Sequence, residues 1–200
     1  MRRRAALLLP LSLGTAGHAT PYTSPPAADD APARTPAIGV VARVPIAIRL
    51  TRLAIVADVT ELGMDKSGAW QLPEAGVGWY WFTATPGSPG NAVLVGHFDT
   101  WWGGDGPLAR LHDARIGDRV DLDTVTRIAR AEGDDGAEVD GPTETLVYTV
   151  ATSKLVDRTD VSSTQATDDE RLTLVTCAGW WSFTLNDYTM RRVVTATRTP

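Results

Sequence analysis

Branched and aromatic residues recur along this chain in short runs in which apolar and polar positions alternate. Such runs predict β-strands, because successive side chains of a strand point to opposite faces. Many short strands separated by turns predict an all-β domain, either a closed barrel or a sandwich. The predicted strands cover residues 44–50, 53–59, 92–95, 119–125, 145–150, 172–177 and 192–196.

Glycine and proline mark the connections between these runs. Residues 87–90 and 103–107 have the composition of turns or loops. The best candidate for a short helix is 108–114, directly after Pro107, and long helical periodicity is absent. The Gly- and acid-rich residues 131–143 predict a surface loop.

The N-terminus has the pattern of an export signal. Three arginines precede a short apolar run over residues 5–13, which Pro10 interrupts, and small residues follow at 17–19. The run is shorter than the span of about 20 residues that crosses a membrane comfortably. We therefore interpret 1–19 as a signal peptide or N-terminal anchor, with a merely basic start to a cytosolic protein as the alternative. The Pro- and Ala-rich residues 20–39 predict a disordered linker, and residues 40–200 are expected to form the folded domain.

Composition narrows the classes of partner. The chain has 200 residues and a formal net charge of -5, and it lacks the basic stripe of a nucleic-acid-binding protein. Six of the seven tryptophans occur as close pairs, which suits either core and barrel-rim packing or an aromatic groove. The three pairs are Trp79 with Trp81, Trp101 with Trp102, and Trp180 with Trp181.

Cys177 is the chain's one cysteine and cannot form an internal disulfide. In an exported protein a lone cysteine indicates an intermolecular bridge or a free reactive thiol. The alternative is structural, because a cysteine that ends an apolar strand is often a small buried hydrophobe. The residues around Cys177 do not by themselves decide between a reactive thiol and a buried structural cysteine.

A catalytic thiol of ordinary pKa, about 8.5, needs a helper at neutral pH, and histidine is the usual one. The chain has three histidines. His18 lies in the presumed signal, and His112 ends the predicted short helix, where a solvated surface position is expected. His97 follows a strand and a glycine, which suits a side chain facing a cleft. Elimination therefore makes His97 the candidate base.

Several segments resemble the sortase family of cysteine transpeptidases. Residues 93–100, VLVGHFDT, resemble the histidine motif of sortases, and 172–177, LTLVTC, resemble their TLxTC cysteine motif. Residues 111–120 are similar to the loop before a central strand, and 191–196 to the arginine-bearing last strand. The likeness covers about residues 43–198 and is greatest to class F, with class D or E next. The segment after the cysteine is more aromatic than usual, which leaves the subclass open.

The resemblance implies a closed eight-stranded β-barrel with short helices and a site at one end. It implies a trio of Cys177, His97 and an arginine. The family spacing, counted back from Ala196, selects Arg191 over Arg192, and strand alternation allows only one of the two to enter the site. Thr176 comes with the cysteine motif as a supporting residue.

A further supporting candidate is Asp99. Its carboxylate could accept the second ring N–H of His97 and orient the imidazole. The alternative is a turn aspartate that caps its own loop.

The resemblance also implies a reaction. Cys177 attacks the Thr carbonyl of an LPxTG-like sorting peptide and forms a thioacyl enzyme, while His97 protonates the departing amine. An amine acceptor, such as a cell-wall precursor, resolves the thioester, and Arg191 hydrogen-bonds the oxyanion. This activity belongs at the cell surface or outside the cell, with possible membrane association through the N-terminus.

No cofactor and no metal are expected. The acidic run of Asp168, Asp169 and Glu170 could bind a cation, although a solvated turn is the favoured interpretation.

Two other functions remain open. One is a secreted cysteine hydrolase that uses the same residues, and the other is an inactive secreted binding module. L,D-transpeptidases are disfavoured, because their signature places His and Gly immediately before the cysteine, where this chain has Val175 and Thr176.

Overall fold

The computed structural model describes residues 41–100, 103–129 and 138–200. Within these ranges the chain forms eight strands and three 3-10 helices. The helices are Thr51–Leu53, Ala109–Asp113 and Ser162–Thr164. The strands are β1 (Val41–Leu50), β2 (Ile55–Leu62), β3 (Val77–Tyr80), β4 (Asn91–Gly96), β5 (Arg119–Ala129), β6 (Glu138–Asp157), β7 (Arg171–Ser182) and β8 (Asp187–Arg198).

The eight strands close into one barrel in the order β1-β2-β3-β4-β7-β8-β6-β5, with β5 pairing back to β1. β2 pairs with β3 in parallel, as β4 does with β7, and the other pairs are antiparallel. The all-β fold and its closed eight-stranded barrel are therefore confirmed. Closure leaves no open sheet edge in the barrel wall.

Alternation along the strands divides the side chains between the barrel interior and its outer surface. Leu172 and Leu174 of β7 lie fully buried in the main core, together with Ala92 and Leu94 of β4. The intervening residues therefore face outward. Trp79 and Tyr148 are the largest fully buried side chains and fill the interior.

This core predicts a clear stability effect. Leu174→Ala is expected to lower the free energy of unfolding by about 2–5 kcal/mol, because it leaves a cavity in a closed interior. Denaturant unfolding monitored by tryptophan fluorescence measures the loss. Val56→Ala is the matched control, since Val56 is 73% exposed. Equal effects of the two substitutions would contradict the assignment of Leu174 to the core.

A second hydrophobic cluster lies on the outer surface of the barrel. It consists of buried Leu62, Tyr80 and Val93, with Trp70, Phe82, Val95 and Val175 packed against them. Trp70 meets the ring of Tyr80 edge to face, with 4.6 Å between ring centroids. Because Trp70 belongs to the connection between β2 and β3, this packing holds that connection against the barrel wall.

The predicted elements differ from the observed ones at several boundaries. The prediction of a strand from residue 53 is wrong at its start, where Leu53 ends a 3-10 helix and Ala54 adopts the left-handed conformation. The predicted surface loop 131–143 is wrong over 138–143, which pair with β5 as the first part of β6. Residues 130–137 lie outside the described part of the chain. The short helix predicted over 108–114 is a 3-10 helix, Ala109–Asp113.

The predicted N-terminal segments 1–19 and 20–39 lie outside the described residues. In the part of the chain that the structure describes, none of the helices has the length and apolar character needed to cross a membrane.

Candidate active site

Cys177 is the seventh of the twelve residues of β7. It is half-buried, and it pairs directly with Arg191 of β8 in the antiparallel register. Directly opposed residues in such a pair point to the same face of the sheet. Both side chains therefore lie on the outer face, two residues beyond the outer cluster residue Val175.

Thr176 and Arg192 form the neighbouring cross-strand pair and face the barrel interior. Thr176 is buried, and neither its Oγ1 nor the Nε of Arg192 has a hydrogen-bond partner among the described residues. The structure thus brings Arg191, and not Arg192, to the cysteine. The supporting candidate Thr176 lies on the opposite face of β7 from the thiol.

The guanidinium of Arg191 is fixed by its own hairpin. Its Nη2 donates to Asp187 Oδ2 at 2.6 Å, and its Nη1 donates to the carbonyl oxygens of Tyr188 at 3.1 Å and Met190 at 3.0 Å. Arg158 adds a second cation, with its Nη1 3.8 Å from Asp187. Asp187 therefore anchors the arginine beside the thiol.

Burial raises the pKa of the Cys177 thiol, and this desolvation is the main effect. The charge of Arg191 opposes it by lowering the pKa, whereas the carboxylates of Asp187 and Asp99 raise it further. At neutral pH the resting sulfur is therefore protonated. A nucleophilic thiolate requires transfer of that proton to a base.

His97 directly follows β4. The parallel register of β4 and β7 pairs Val95 with Val175, and His97 and Cys177 each lie two residues beyond this last pair of the ladder. The Nε2 of His97 lies 2.9 Å from the carbonyl oxygen of Pro73 in the β2–β3 connection. Because a carbonyl oxygen only accepts, this contact places the ring hydrogen on Nε2 and leaves Nδ1 to accept a proton.

The backbone of His97 is also held. Its carbonyl oxygen accepts from Leu108 N at 3.1 Å, and Gly106 N donates to Phe98 O at 2.9 Å. A Cβ at Gly106 would lie 2.3 Å from His97 O, so glycine is required for this close approach. The predicted turn 103–107 thus fixes the start of the segment that begins at His97 after β4, which we call the histidine loop.

The carboxylate of Asp99 contacts Tyr188, whereas the sequence left open a contact with the ring of His97. That carboxylate accepts a hydrogen bond from the hydroxyl of Tyr188, and this bond is the main reason that the pKa of Tyr188 rises to about 12. Its backbone forms a bridge with Asp105. The structure thus joins Asp99 to the β7–β8 hairpin, and an orienting role toward the His97 ring stays a prediction. His112 lies exposed, with its Nδ1 2.6 Å from Ala109 O.

A cavity of about 830 Å³ opens next to the imidazole. Its walls come from the β2–β3 connection, the histidine loop and the β7–β8 hairpin. The lining residues are Glu74, Ala75, Gly76, His97, Asp99, Thr100, Pro107, Trp181 and Tyr188.

The Sortase domain family matches residues 48–199, which include both strands of the site and the histidine loop. The chain belongs to the sortase family. No curated protein sequence matches it.

Solved sortase structures share the fold at low identity. Sortase C-1 from Actinomyces oris is 22% identical with a TM-score of 0.54, over 77% of this chain and 73% of that one. A lid mutant of sortase A from Corynebacterium diphtheriae is 21% identical with a TM-score of 0.53, over 82% and 73%. A Clostridium perfringens sortase D5 transpeptidase is 16% identical with a TM-score of 0.55, over 78% and 79%.

Membership makes this sortase a cysteine transpeptidase that acts on sorting peptides of the LPxTG type. The solved structures belong to several sortase classes, so the closer likeness to class F, D or E stays a prediction.

The aromatic segment after the cysteine forms the far part of the β7–β8 hairpin of this sortase. A register shift between Ala178 and Trp181 inserts one extra residue into β7, and Gly179 there has φ +81°. The bulge sets Trp181 opposite Tyr188, with ring centroids 5.4 Å apart. Trp180 and Phe183 remain 73% and 91% exposed.

Both interpretations of the tryptophans therefore hold, each at a different pair. Trp79 fills the core, whereas Trp181 lines the cavity beside His97. Trp101 and Trp102 lie outside the described residues.

Sequence reasoning missed four contacts of this site: Pro73, Glu74, Asp187 and Tyr188. Only Asp187 could have been found from the sequence alone. It lies four residues before Arg191 in the last strand, so a search for acidic partners of the arginine would have identified it. The others meet the site only through folding.

The acidic turn before β7 does not gather around a common point. Asp168 and Asp169 are exposed, and Glu170 accepts a hydrogen bond from the buried Tyr148 hydroxyl at 2.7 Å. Over residues 41–100, 103–129 and 138–200, no cluster of His, Cys, Asp and Glu is arranged to hold a metal ion.

The electrostatics of the site predict the effect of one conservative change. Asp187→Asn removes a carboxylate that raises the pKa of Cys177 but keeps an oxygen that accepts from Arg191. The thiol pKa should fall, so iodoacetamide alkylation at pH 7 should be faster and its pH midpoint lower than in the wild type. Asp160→Asn, in an exposed turn, is the matched control. Slower or unchanged alkylation of Asp187→Asn would contradict the electrostatic role.

Proposed function

We propose that Cys177, His97 and Arg191 carry the transpeptidase reaction of this sortase. The observation that carries the proposal is the register of the site: Cys177 and Arg191 are opposed on one face, and His97 directly follows the neighbouring strand β4, two residues after the Val95–Val175 pair. A nucleophile, a proton carrier and a fixed cation on neighbouring elements suit acyl transfer.

In the first half of the reaction the thiol proton moves to Nδ1 of His97. The thiolate attacks the Thr carbonyl carbon of the sorting peptide, and a C–S bond forms. The scissile C–N bond then breaks, and the imidazolium returns its proton to the leaving amine. Arg191 stabilises the negative charge on the carbonyl oxygen, because its fixed guanidinium needs little reorganisation.

In the second half a primary amine attacks the thioester carbonyl carbon. One N–H proton passes to the neutral imidazole, the C–N bond forms, and the C–S bond breaks. The products are a new amide and the thiolate–imidazolium pair, which returns to the resting thiol. Transfer therefore requires access of the amine to His97 while the acyl group is held on Cys177.

The setting of this reaction follows from the family and from the N-terminal pattern. Sortases act on surface proteins, and residues 1–19 have the pattern of an export signal or anchor. We place the enzyme outside the cytoplasm, with sorting peptides as the first substrate and a cell-wall amine as the acceptor.

Product analysis tests the function. A panel of LPxTG-like peptides is incubated with the enzyme with and without an added amine, and mass spectrometry identifies the acyl product. We expect the amide with the amine, and the hydroxamate when hydroxylamine replaces it. Formation of the free acid alone, at a rate independent of the amine, would identify a hydrolase instead. Failure to cleave any peptide of the panel would contradict the proposal.

A further inference from the structure

The β7–β8 hairpin extends past the strands that flank it in the barrel wall. The ladder between β4 and β7 ends at Val175, and the ladder between β6 and β8 ends at Met190. The pairing of β7 with β8 continues to Ser182 and Asp187, and the two strands are joined by a short turn. The paired part of the hairpin therefore projects about 10 Å beyond the wall, at about 3.3 Å per residue.

The end of this hairpin is uncharged and apolar. Residues 178–186, AGWWSFTLN, include no Asp, Glu, Lys or Arg, and we call them the hairpin tip. Trp180, Trp181, Phe183 and Leu185 are all large hydrophobic side chains exposed to solvent. Single exposed hydrophobic residues are ordinary, but several gathered on one projecting segment mark an interaction site.

The size and shape of the hairpin tip discriminate between partners. Its four exposed side chains present roughly 500 Å² of apolar surface. A stable contact with a second copy of the chain needs about 800 Å² on each partner. A bound peptide or small ligand occupies a groove or a cleft, whereas the end of a hairpin is convex. A lipid bilayer is the partner that accepts a small apolar projection.

The side chains of the tip also match the membrane–water interface. Tryptophan is enriched there, because its ring is apolar and its N–H is polar, and Phe and Leu enter the boundary of the acyl chains. The carboxylate that directly follows the tip, Asp187, is paired with Arg191 at 2.6 Å and lies 3.8 Å from Arg158. Residues 1–19 have the pattern of an export signal or anchor, and either use brings the chain to a membrane.

The backbone of the tip sets the depth of such a contact. Residues 183–186 connect the two strands outside the β7–β8 ladder. Their N–H and C=O groups need hydrogen-bond partners, and the hydrocarbon core offers none. Water is still present among the lipid headgroups, so the tip belongs at that level and not deeper.

We propose that the hairpin tip is a membrane-docking surface that places Trp180 and Phe183 among the lipid headgroups. Cys177 directly precedes the tip on β7, so docking holds the thiol within about 20 Å of the lipid surface, the length of six extended residues. The site then faces molecules that are attached to the same membrane. This inference goes beyond the proposed function and does not depend on it.

A fluorescent label at the tip tests the contact in the full chain. Cys177→Ala removes the native thiol, and Thr184→Cys provides an exposed position for the environment-sensitive dye NBD. With phosphatidylcholine vesicles, we expect NBD emission to shift to the blue and rise about twofold, and a headgroup-nitroxide lipid to quench it. Because the dye reports its own surroundings, vesicle binding through residues 1–19 does not produce this signal.

Three further proteins serve as controls in the same Cys177→Ala background. Trp180→Ser combined with Phe183→Ser should abolish the response of the Thr184→Cys label and leave the denaturant midpoint unchanged, because both side chains are exposed. Val56→Ser, at an exposed apolar position of β2, should keep the response. A label at Asp168→Cys, in the exposed turn before β7, should not respond to vesicles.

Other outcomes would overturn the docking surface. These are an unresponsive tip label, an undiminished response in the double serine variant, and an equal response at the turn before β7. The tip carries no charge, so a response that requires phosphatidylglycerol in the vesicles would also contradict the proposal.

The label also reports two other occupants of the tip. Emission that is already blue-shifted without vesicles would show that protein covers the tip, and this result would replace the membrane as the partner. The cover would be a second copy if the shift grows with protein concentration, and the apolar run 5–13 if it does not. Since the labelled protein lacks the Cys177 thiol, none of these results bears on peptide cleavage by the wild type, and the two proposals can fail separately.

Discussion

Replacing Cys177 with alanine is expected to abolish cleavage of the sorting peptide, with no thioacyl enzyme detected by mass spectrometry. The reaction depends on a covalent bond to sulfur, and Cys177 is the one cysteine of the chain, so no second thiol can replace it. A methyl group also fits the half-buried position on β7 without strain, so the loss should be catalytic and not structural.

Two controls accompany this variant. The denaturant midpoint of Cys177→Ala should stay close to that of the wild type, and the variant should still bind the peptide. Cleavage at the wild-type rate by a correctly folded Cys177→Ala protein would exclude covalent catalysis by this residue and, with it, the proposed mechanism.

The raised pKa of the Cys177 thiol gives the free enzyme a resting state in which the sulfur is protonated. Burial raises the pKa of Cys177, and Asp187 and Asp99 add to this effect, so the free enzyme holds a protonated sulfur. Arg191 works in the opposite direction, but its charge is shared with Asp187 at 2.6 Å. A peptide carbonyl that competes with Asp187 for the guanidinium would free part of that charge for the reacting centre. Activation on substrate binding is the expected consequence.

The barrel was predictable because alternation is strong where one face of a strand meets the core. β7 shows this well, with Leu172 and Leu174 inside and the cysteine on the other face. β3 was missed because it has four residues, includes Gly78, and is buried along its whole length, so alternation gave no signal. Residues 138–143 were missed because glycine and acids predict a loop, whereas pairing with β5 makes them a strand.

The candidate site was predictable only in part, for a physical reason. The resemblance to the sortase motifs assigned Cys177, His97 and Arg191, because each lies in a short contiguous segment that can be matched without knowledge of the fold. The contacts that adjust them come from connections that pack by tertiary fit. Pro73 reaches His97 from the β2–β3 connection, and Tyr188 reaches Asp99 from 89 positions further along the chain. Spacing in the sequence carries no information about such pairs.

Arg191 and Arg192 offer the sharpest test of the site, because they are adjacent residues of one type on opposite faces of β8. Arg191→Ala is expected to lower kcat for peptide cleavage about 100- to 1000-fold, the usual effect of removing a donor to a developing oxyanion. Arg191→Lys should recover part of the loss, because it keeps the charge but lacks the planar donor geometry.

Arg192→Ala is the matched control. Its side chain lies on the inner face beside Thr176, where its Nε has no hydrogen-bond partner among the described residues, so its removal should leave kcat within a small factor of the wild type. Steady-state kinetics of the three variants, with denaturant midpoints for each, separate catalysis from folding. A large kcat loss in Arg192→Ala together with an active Arg191→Ala would reverse the assignment. Such a result would require the reacting carbonyl to approach Cys177 from the barrel interior. That direction conflicts with the outward orientation of the Cys177 and Arg191 side chains.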